Sequence, residues 1–274
     1  MDRRPLGKTN LHLSILGLGT VKFGRNTGVK YPQPFNLPTD QQINNLLNLA
    51  RDLGINFVDT APAYGSSEKR LGELLPYSPT SEWIISTKVG ESFHNGKSEF
   101  NFSAKYTKHS VHQSLKNLKR QSLDLVLIHS DGIDETESKF AETFQALADL
   151  KSNGLIRAFG MSPKTAPGAQ FALQHADALM LTLNHTDTAM LPVIEEANRE
   201  NVGVIIKKGF AGGHLNKVRT ENTSGNEAST LDPAENALRF ILQTPGVASL
   251  VIGTINPKHL RRNAELLNQI FPNH

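Results

Sequence analysis

The sequence predicts a closed eight-stranded parallel β/α barrel, the TIM-barrel architecture, formed by residues 1–274 as one domain. Three observations carry this. Short, largely apolar and often β-branched runs recur at residues 15–19, 55–59, 83–88, 123–129, 156–160, 178–184, 202–207 and 249–253. Amphipathic helical patterns lie between them. No linker or break in composition divides the chain. Runs apolar on both sides suit parallel strands covered on both faces. Eight strand–helix pairs in a domain-sized chain point to closure into a barrel. The competitor is an open doubly wound sheet, and the regular spacing favours the barrel.

In chain order, the segment from Arg4 to Leu13 reads as a β-hairpin turning at Gly7 or Asn10, set over the barrel's amino-terminal end. Thr39-Asp40 caps a helix whose Ile43, Leu46, Leu47 and Ala50 share one face. Residues 67–75 form a short helix, and Ser103 caps the next, which carries Val111, Leu115 and Leu118. The helix over 137–150 presents Phe140, Phe144, Leu147 and Leu150, and Asn153-Gly154 stops it. Further helices are expected at 167–175, 189–200, 233–243 and 257–271, with Pro233 and Pro257 in first turns. Two polar segments, 25–37 and 219–230, follow presumed strands. They belong on the carboxyl-end face, where loops commonly gate ligands.

Bulk properties exclude several classes. No window approaches the ~18 consecutive apolar residues of a membrane span, and Met1 to Leu6 lacks the apolar stretch of a signal peptide. The chain has no Cys, which removes disulfides and thiolate chemistry and fits a cytoplasmic protein. The net charge is +3 and no Lys/Arg run exceeds two residues, so a nucleic-acid surface is not expected. The weak positive bias suits an anionic small molecule such as a phosphorylated cofactor. The 10 histidines offer no pair with convincing metal-ligand spacing. Oligomeric state is not legible, and a monomer is the working expectation.

Four polar residues stand where apolar strands end. Asp59 closes the second run and Tyr64 follows in its loop; Lys88 closes the third run and His129 the fourth. On neighbouring parallel strands, all four converge at the carboxyl-end face, where α/β folds place their chemistry. An ammonium among apolar neighbours needs a carboxylate, and Asp59 is the expected partner of Lys88. For that pair alone, a structural salt bridge is an equal reading. A phenol with a solution pKa near ~10 becomes a usable proton donor or acceptor if an adjacent ammonium lowers that value. His129 supplies a group whose tautomer depends on its second partner, with a backbone-bonded core His as the alternative.

These residues carry a resemblance. Gly17-Leu18-Gly19-Thr20, then Phe57 to Gly65 with Asp59 and Tyr64, then Ser86-Thr87-Lys88, then Leu127-Ile128-His129 resemble the aldo-keto reductase family. The tail from Val251-Ile252-Gly253-Thr254 to Asn263 is similar to that family's cofactor-binding end. The likeness spans nearly the whole chain and is nearest the short bacterial and potassium-channel-β-like branch. It implies NADPH (NADP+) lying across the top of a barrel and reduction of a small-molecule aldehyde or ketone. Carried over, Tyr64 is the general acid, Lys88 lowers its pKa, Asp59 holds Lys88, and His129 polarises and orients the carbonyl.

The resemblance also implies cofactor contacts at Gly19 and Thr20 and at Ser162. The family's Ser-Asn is Ser162-Pro163 here, Met180 stands at its Gln, and Leu183 precedes Asn184. Asn184 or His185 is the remaining candidate for a second carboxamide contact, with an ordered loop Asn as the alternative. Lys207-Lys208-Gly209-Phe210 through Gly213 and Leu215 resembles a pyrophosphate loop, in which small residues let backbone amides approach an anion. At the last helix, Gly253, Thr254 and Asn256 precede His259, Arg262 and Asn263. A helix amino-terminus suits a phosphate, and Arg262, with Lys258, is the candidate for a 2′-phosphate. Phe23, Phe93, Phe100 and Phe210 are candidates for the substrate pocket, each with ordinary packing as the alternative. Two other functions fit the residues: a Schiff-base barrel aldolase using Lys88, and an NADP(H)-binding regulator with little turnover.

Overall fold

The computed structural model describes residues 1–29, 31, 33–75, 82–133, 136–211 and 232–272. The chain opens with an antiparallel hairpin of β1 (Arg3–Pro5) and β2 (His12–Ser14). Then come β3 (Leu16–Gly19), β4 (Phe57–Asp59) and β5 (Ile84–Val89). A second hairpin, β6 (Glu91–His94) with β7 (Lys97–Phe100), follows. The remaining strands are β8 (Leu123–His129), β9 (Ile156–Ser162), β10 (Ala178–Thr182), β11 (Gly203–Lys207) and β12 (Val247–Ile252). Strands β3, β4, β5, β8, β9, β10, β11 and β12 close into one parallel barrel, β12 pairing back onto β3.

The helices are α1 (Val21–Gly24), α2 (Asp40–Asp52), α3 (Ser67–Leu74), α4 (Ala104–Asn117), α5 (Glu137–Ser152), α6 (Ala166–Leu173), α7 (Leu191–Arg199), α8 (Pro233–Leu242) and α9 (Pro257–Ile270). Their starts follow the chemistry of the sequence. Thr39 and Gln42 form a reciprocal capping box on α2. Ser103 accepts from Tyr106 N, and Asp232 and Asn256 cap α8 and α9. Among the described residues no helix is long and apolar enough to cross a membrane.

The first hairpin plugs the barrel's amino-terminal end. Gly7 and Asn10 both take positive φ, so the turn uses both expected residues. Leu6, Leu11 and Leu13 are buried and pack with Phe57, Leu125, Ala158, Ala178, Met180, Ile205 and Ala248. Met180 therefore belongs to an apolar interior layer. With the lower end filled by side chains, the open end for chemistry is the carboxyl-end rim.

Four differences from the expected elements bear on the site. Strand β9 runs on to Ser162, which brings that hydroxyl level with His129 on β8. Strands β10 and β12 stop before Asn184 and Gly253, leaving both in rim loops. The short helix α1 follows β3, the first barrel strand, directly. The hairpin β6–β7 was not expected, although Asn95-Gly96 marks its turn and both residues have positive φ.

Candidate active site

Asp59 and Lys88 lie on adjacent strands near the rim, with Asp59 paired to Ser86 in register. Residues 86 and 88 alternate onto the same side of β5, so both reach Asp59. Lys88 Nζ lies 2.7 Å from Asp59 Oδ1, 2.8 Å from Oδ2 and 2.8 Å from Thr60 O. Ser86 Oγ donates to Asp59 Oδ1 at 2.7 Å. Lys88 is only 2% exposed. Its three ammonium hydrogens each have an acceptor, which is what an ammonium in so dry a place requires.

Tyr64 sits in a single 3-10 turn, Pro62–Tyr64, immediately past β4. Its ring centroid is 4.9 Å from Lys88 Nζ, and the His129 ring stands edge-on to it at 6.2 Å. The structure thus brings Asp59, Tyr64, Lys88 and His129 together at one end of the barrel. One expectation is corrected. The phenol's pKa is raised well above its ordinary value, first by burial, then by Asp59, Tyr31 and Glu91, against Arg25. Lys88 does not bring it down: burial is the largest cause, and Asp59, 2.7 Å from the ammonium, offsets part of its field. Tyr64 therefore keeps its proton through the neutral range.

His129 closes β8, and its Nδ1 lies 2.6 Å from Glu91 Oε2, though not aligned as a regular hydrogen bond. Burial, the largest cause, lowers the imidazole pKa; Glu91 raises it, and Lys88 and Lys207 lower it further. Glu91 itself is held down to about 2: burial opposes this, but His129, Ser98 and Arg25 outweigh it. Neither Glu91 nor Arg25 was singled out from the sequence. Arg25 donates to Ala63 O at 3.1 Å, to Thr27 O at 3.0 Å and to Gly28 O at 2.9 Å. Its guanidinium stacks 3.3 Å over the Phe93 ring. It ties the loop after α1 to the Tyr64 turn and the second hairpin.

On the other side of the rim, Ser162 and Lys207 form a pair. Lys207 Nζ donates to Ser162 Oγ at 2.7 Å and to Pro163 O at 3.0 Å. Gly19 ends β3 and Gly253 follows the neighbouring β12, and a Cβ on Gly253 would stand 4.0 Å from Gly19 O and 3.2 Å from the Tyr31 hydroxyl. The Val251 and Tyr31 side chains flank this pair of glycines. Thr254 is buried, and Asn263 is buried on α9. His259 and Arg262 are exposed on that helix, where Arg262 reaches Asp232 at 3.3 Å.

Several expected contacts are spent elsewhere. The Thr20 hydroxyl donates to Asp59 O and accepts from Ser67, so it latches β3 to β4. Asn184 donates to Lys208 O and accepts from Thr186, which organises its own loop. His185 is exposed and stacks on Phe240. Gly209 is small because a Cβ would meet Ile241 and Leu250 at 2.6 Å and 2.7 Å, a packing need. Lys208 is exposed with positive φ, and Phe210 packs against the core. Phe23 is fully buried in the core, and Phe93 is occupied by Arg25, so neither lines an open pocket. Gly213 lies outside the described residues.

The model of the Aldo/keto reductase family matches residues 15–273. The chain belongs to the aldo/keto reductase family. A Pseudomonas aeruginosa protein assigned as an aldo-keto reductase is 43% identical, with 98% of this chain and 96% of that one covered and a TM-score of 0.84. The NADH-specific methylglyoxal reductase of Escherichia coli is 27% identical, covering 98% of this chain and 94% of its own length. The D-threo-aldose 1-dehydrogenase of a Pseudomonas species is 25% identical, covering 93% and 89%. The protein is thus an oxidoreductase of a family that acts on carbonyl and alcohol groups with nicotinamide cofactors.

The residues present fit such a cofactor. The Ser162–Lys207 pair offers polar groups at the rim for its carboxamide. The exposed cations of α9, with its Asn256 cap, suit the phosphate-bearing end.

Proposed function

We propose that this aldo-keto reductase reduces an aldehyde or ketone to the alcohol with NADPH, Tyr64 serving as general acid. The observation that carries this is the seating of the Tyr64 ring against a Lys88 held by Asp59 and Thr60, with His129 edge-on beside it. The bound cofactor supplies the hydride. The chain's own residues supply the proton and the position. Tyr64 gives its proton to the carbonyl oxygen as negative charge grows there. Asp59 fixes Lys88, and the ammonium field then favours that charge at the moment it forms. Ser162 and Lys207 are the candidates for orienting the carboxamide, in place of Asn184. A cytoplasmic setting accords with a chain free of cysteine.

The saturation of Lys88 disfavours an aldolase. All three donor directions of its nitrogen are taken, so a substrate carbon has no path to it. The regulator reading draws on Pro163, Met180 and Leu183 and predicts cofactor binding without turnover. The test is NADPH oxidation followed at fixed enzyme against a panel of aldehydes, ketones and sugars. Turnover above background with at least one class is the expected result. Tight NADPH binding with no oxidation across the panel would move the protein to the regulator reading.

Preference for the phosphorylated cofactor is assigned to Arg262 with Lys258. The Arg262–Asp232 pair is half-exposed, and exposed pairs are worth only about 0–1 kcal/mol, so a phosphate displaces Asp232 at little cost. Arg262→Ala is expected to weaken NADPH binding roughly 10-fold, the loss of one charge-assisted contact, while NADH binding changes little. Titration of both cofactors checks it. An unchanged NADPH/NADH ratio would remove Arg262 from the phosphate site.

A further inference from the structure

We propose that Arg25 is a positioning residue that holds the Tyr64 turn in its working pose, and that the four-residue helix α1 is the platform it acts from. This deepens the reductase reading and rests on Tyr64 being the general acid.

Tyr64 stands on a 3-10 turn of three residues just past β4. So short a turn has weak hydrogen-bond geometry of its own. The ring's direction depends on the peptide plane that joins Ala63 to Tyr64. That plane is held at both ends. Its N–H donates to Ala61 O at 3.0 Å, and its carbonyl, Ala63 O, accepts from Arg25 Nη1 at 3.1 Å.

Arg25 is itself fixed. Nε donates to Thr27 O at 3.0 Å and Nη2 to Gly28 O at 2.9 Å, so the guanidinium fork spans three carbonyls. Its Cζ stands 3.3 Å over the Phe93 ring, and Nη1 lies 3.9 Å from Glu91 Oε1. Glu91 and Phe93 are two residues apart on β6 and share a face, so one guanidinium meets both. The Arg25 side chain is 11% exposed, and an enclosed cation that moved would lose these partners. A planar fork that both bonds and stacks is a task for arginine and not for lysine. The same cation opposes the rise in the Tyr64 phenol's pKa, so fork and charge act on one group.

Helix α1 brings Arg25 to this place. A Cβ on Gly24 would stand 2.3 Å from Tyr64 O and 2.3 Å from Ser67 N. A Cβ on Gly65, whose φ is +63°, would stand 2.2 Å from Gly24 O. The two glycines therefore interlock backbone to backbone. From the far side, Ser67 Oγ donates to Thr20 Oγ1 at 2.8 Å and Arg70 Nη1 to Phe23 O at 2.5 Å. The start of the loop after β3, the Tyr64 turn and the second hairpin are thus tied into one unit.

Two variants separate fork from charge. Arg25→Met removes both, and Arg25→Lys keeps the charge alone. Amide hydrogen exchange needs neither cofactor nor substrate. The Tyr64 amide is expected to exchange roughly 10-fold faster in Arg25→Met, the loss of one hydrogen bond on its turn, while amides of β5 and β8 keep the parent's rates. A parent-like rate at Tyr64 overturns the proposal whether or not the protein reduces any carbonyl. In single turnovers of NADPH with an aldehyde that the parent reduces, the amplitude counts folded sites and the rate reports the chemical step. The rate is expected to fall roughly 10- to 100-fold in both variants, the cost of a misplaced group, with amplitude and NADPH affinity kept. A lower amplitude at the parent's rate is the mark of a merely structural role and overturns the proposal. The parent's rate in Arg25→Lys overturns the role of the fork. Should Arg25→Met fail to fold, Arg25→Lys and Phe93→Leu, which removes the stacking surface, carry both measurements with the same expected directions. Failure of all carbonyl turnover in the parent would instead count against the reductase reading, and hydrogen exchange would still decide how Tyr64 is seated.

Discussion

Tyr64→Phe is expected to lower kcat for NADPH-dependent carbonyl reduction by about 100- to 10,000-fold, the range that a positioned general acid contributes. The change removes one oxygen and leaves the ring in place. The ring's approach to Lys88 at 4.9 Å and its edge contact with His129 do not depend on the hydroxyl. Cofactor affinity and thermal midpoint should therefore stay near the parent's, which confines the effect to chemistry. The pH profile gives an independent check. A group acting as an acid is competent below its folded-state pKa and fails as pH rises through it. Burial and the neighbouring acids Asp59 and Glu91 place that point above the ordinary phenol value of ~10. Reduction should consequently show no alkaline loss from this group in the neutral range. Full turnover by Tyr64→Phe, or an alkaline limb near neutrality that vanishes in it, would contradict the acid role assigned here.

The barrel was legible because its strands are buried on both faces and so read as plain apolar runs, as in Leu125-Val126-Leu127-Ile128. Strand ends were less so: Asn184 and Gly253 continue their runs in sequence but belong to the rim, since nothing local marks where pairing stops. The convergence of Asp59, Tyr64, Lys88 and His129 followed from strand order alone. The charge balance within the group did not. A lysine on the strand next to a tyrosine's suggests a lowered phenol pKa, but the outcome depends on how deeply the phenol is buried and on how much of the lysine's charge Asp59 offsets, which is a matter of ångströms. Glu91 was missed because its importance lies in a contact between separate strands, and because Glu91 to Phe100 is too polar to read as a strand pair. The one local signal, Asn95-Gly96, was available and would have found the hairpin.

Breaking the Asp59–Lys88 pair should be the most costly single change to the fold near the rim. Lys88→Met leaves the Asp59 carboxylate, 3% exposed, with only the Ser86 hydroxyl of its side-chain partners. Removing one member of a buried pair typically costs about 3–5 kcal/mol, because the other charge remains without its counter-ion. Urea unfolding of Lys88→Met and of Asp59→Leu should each show a loss of that order. The double variant Asp59→Leu/Lys88→Met removes both charges and should recover much of the stability, since a buried pair and a packed apolar pair are often nearly equal in worth. Activity separates the two roles. In the double variant the fold returns but Tyr64 has lost the ammonium that favours growing negative charge on the carbonyl oxygen, so turnover should stay low while cofactor affinity is kept. A double variant that regained both stability and turnover would reduce the pair to a structural salt bridge. Single variants as stable as the parent would show that water reaches the site, and the dry, fully paired ammonium that positions the chemistry would have to be abandoned.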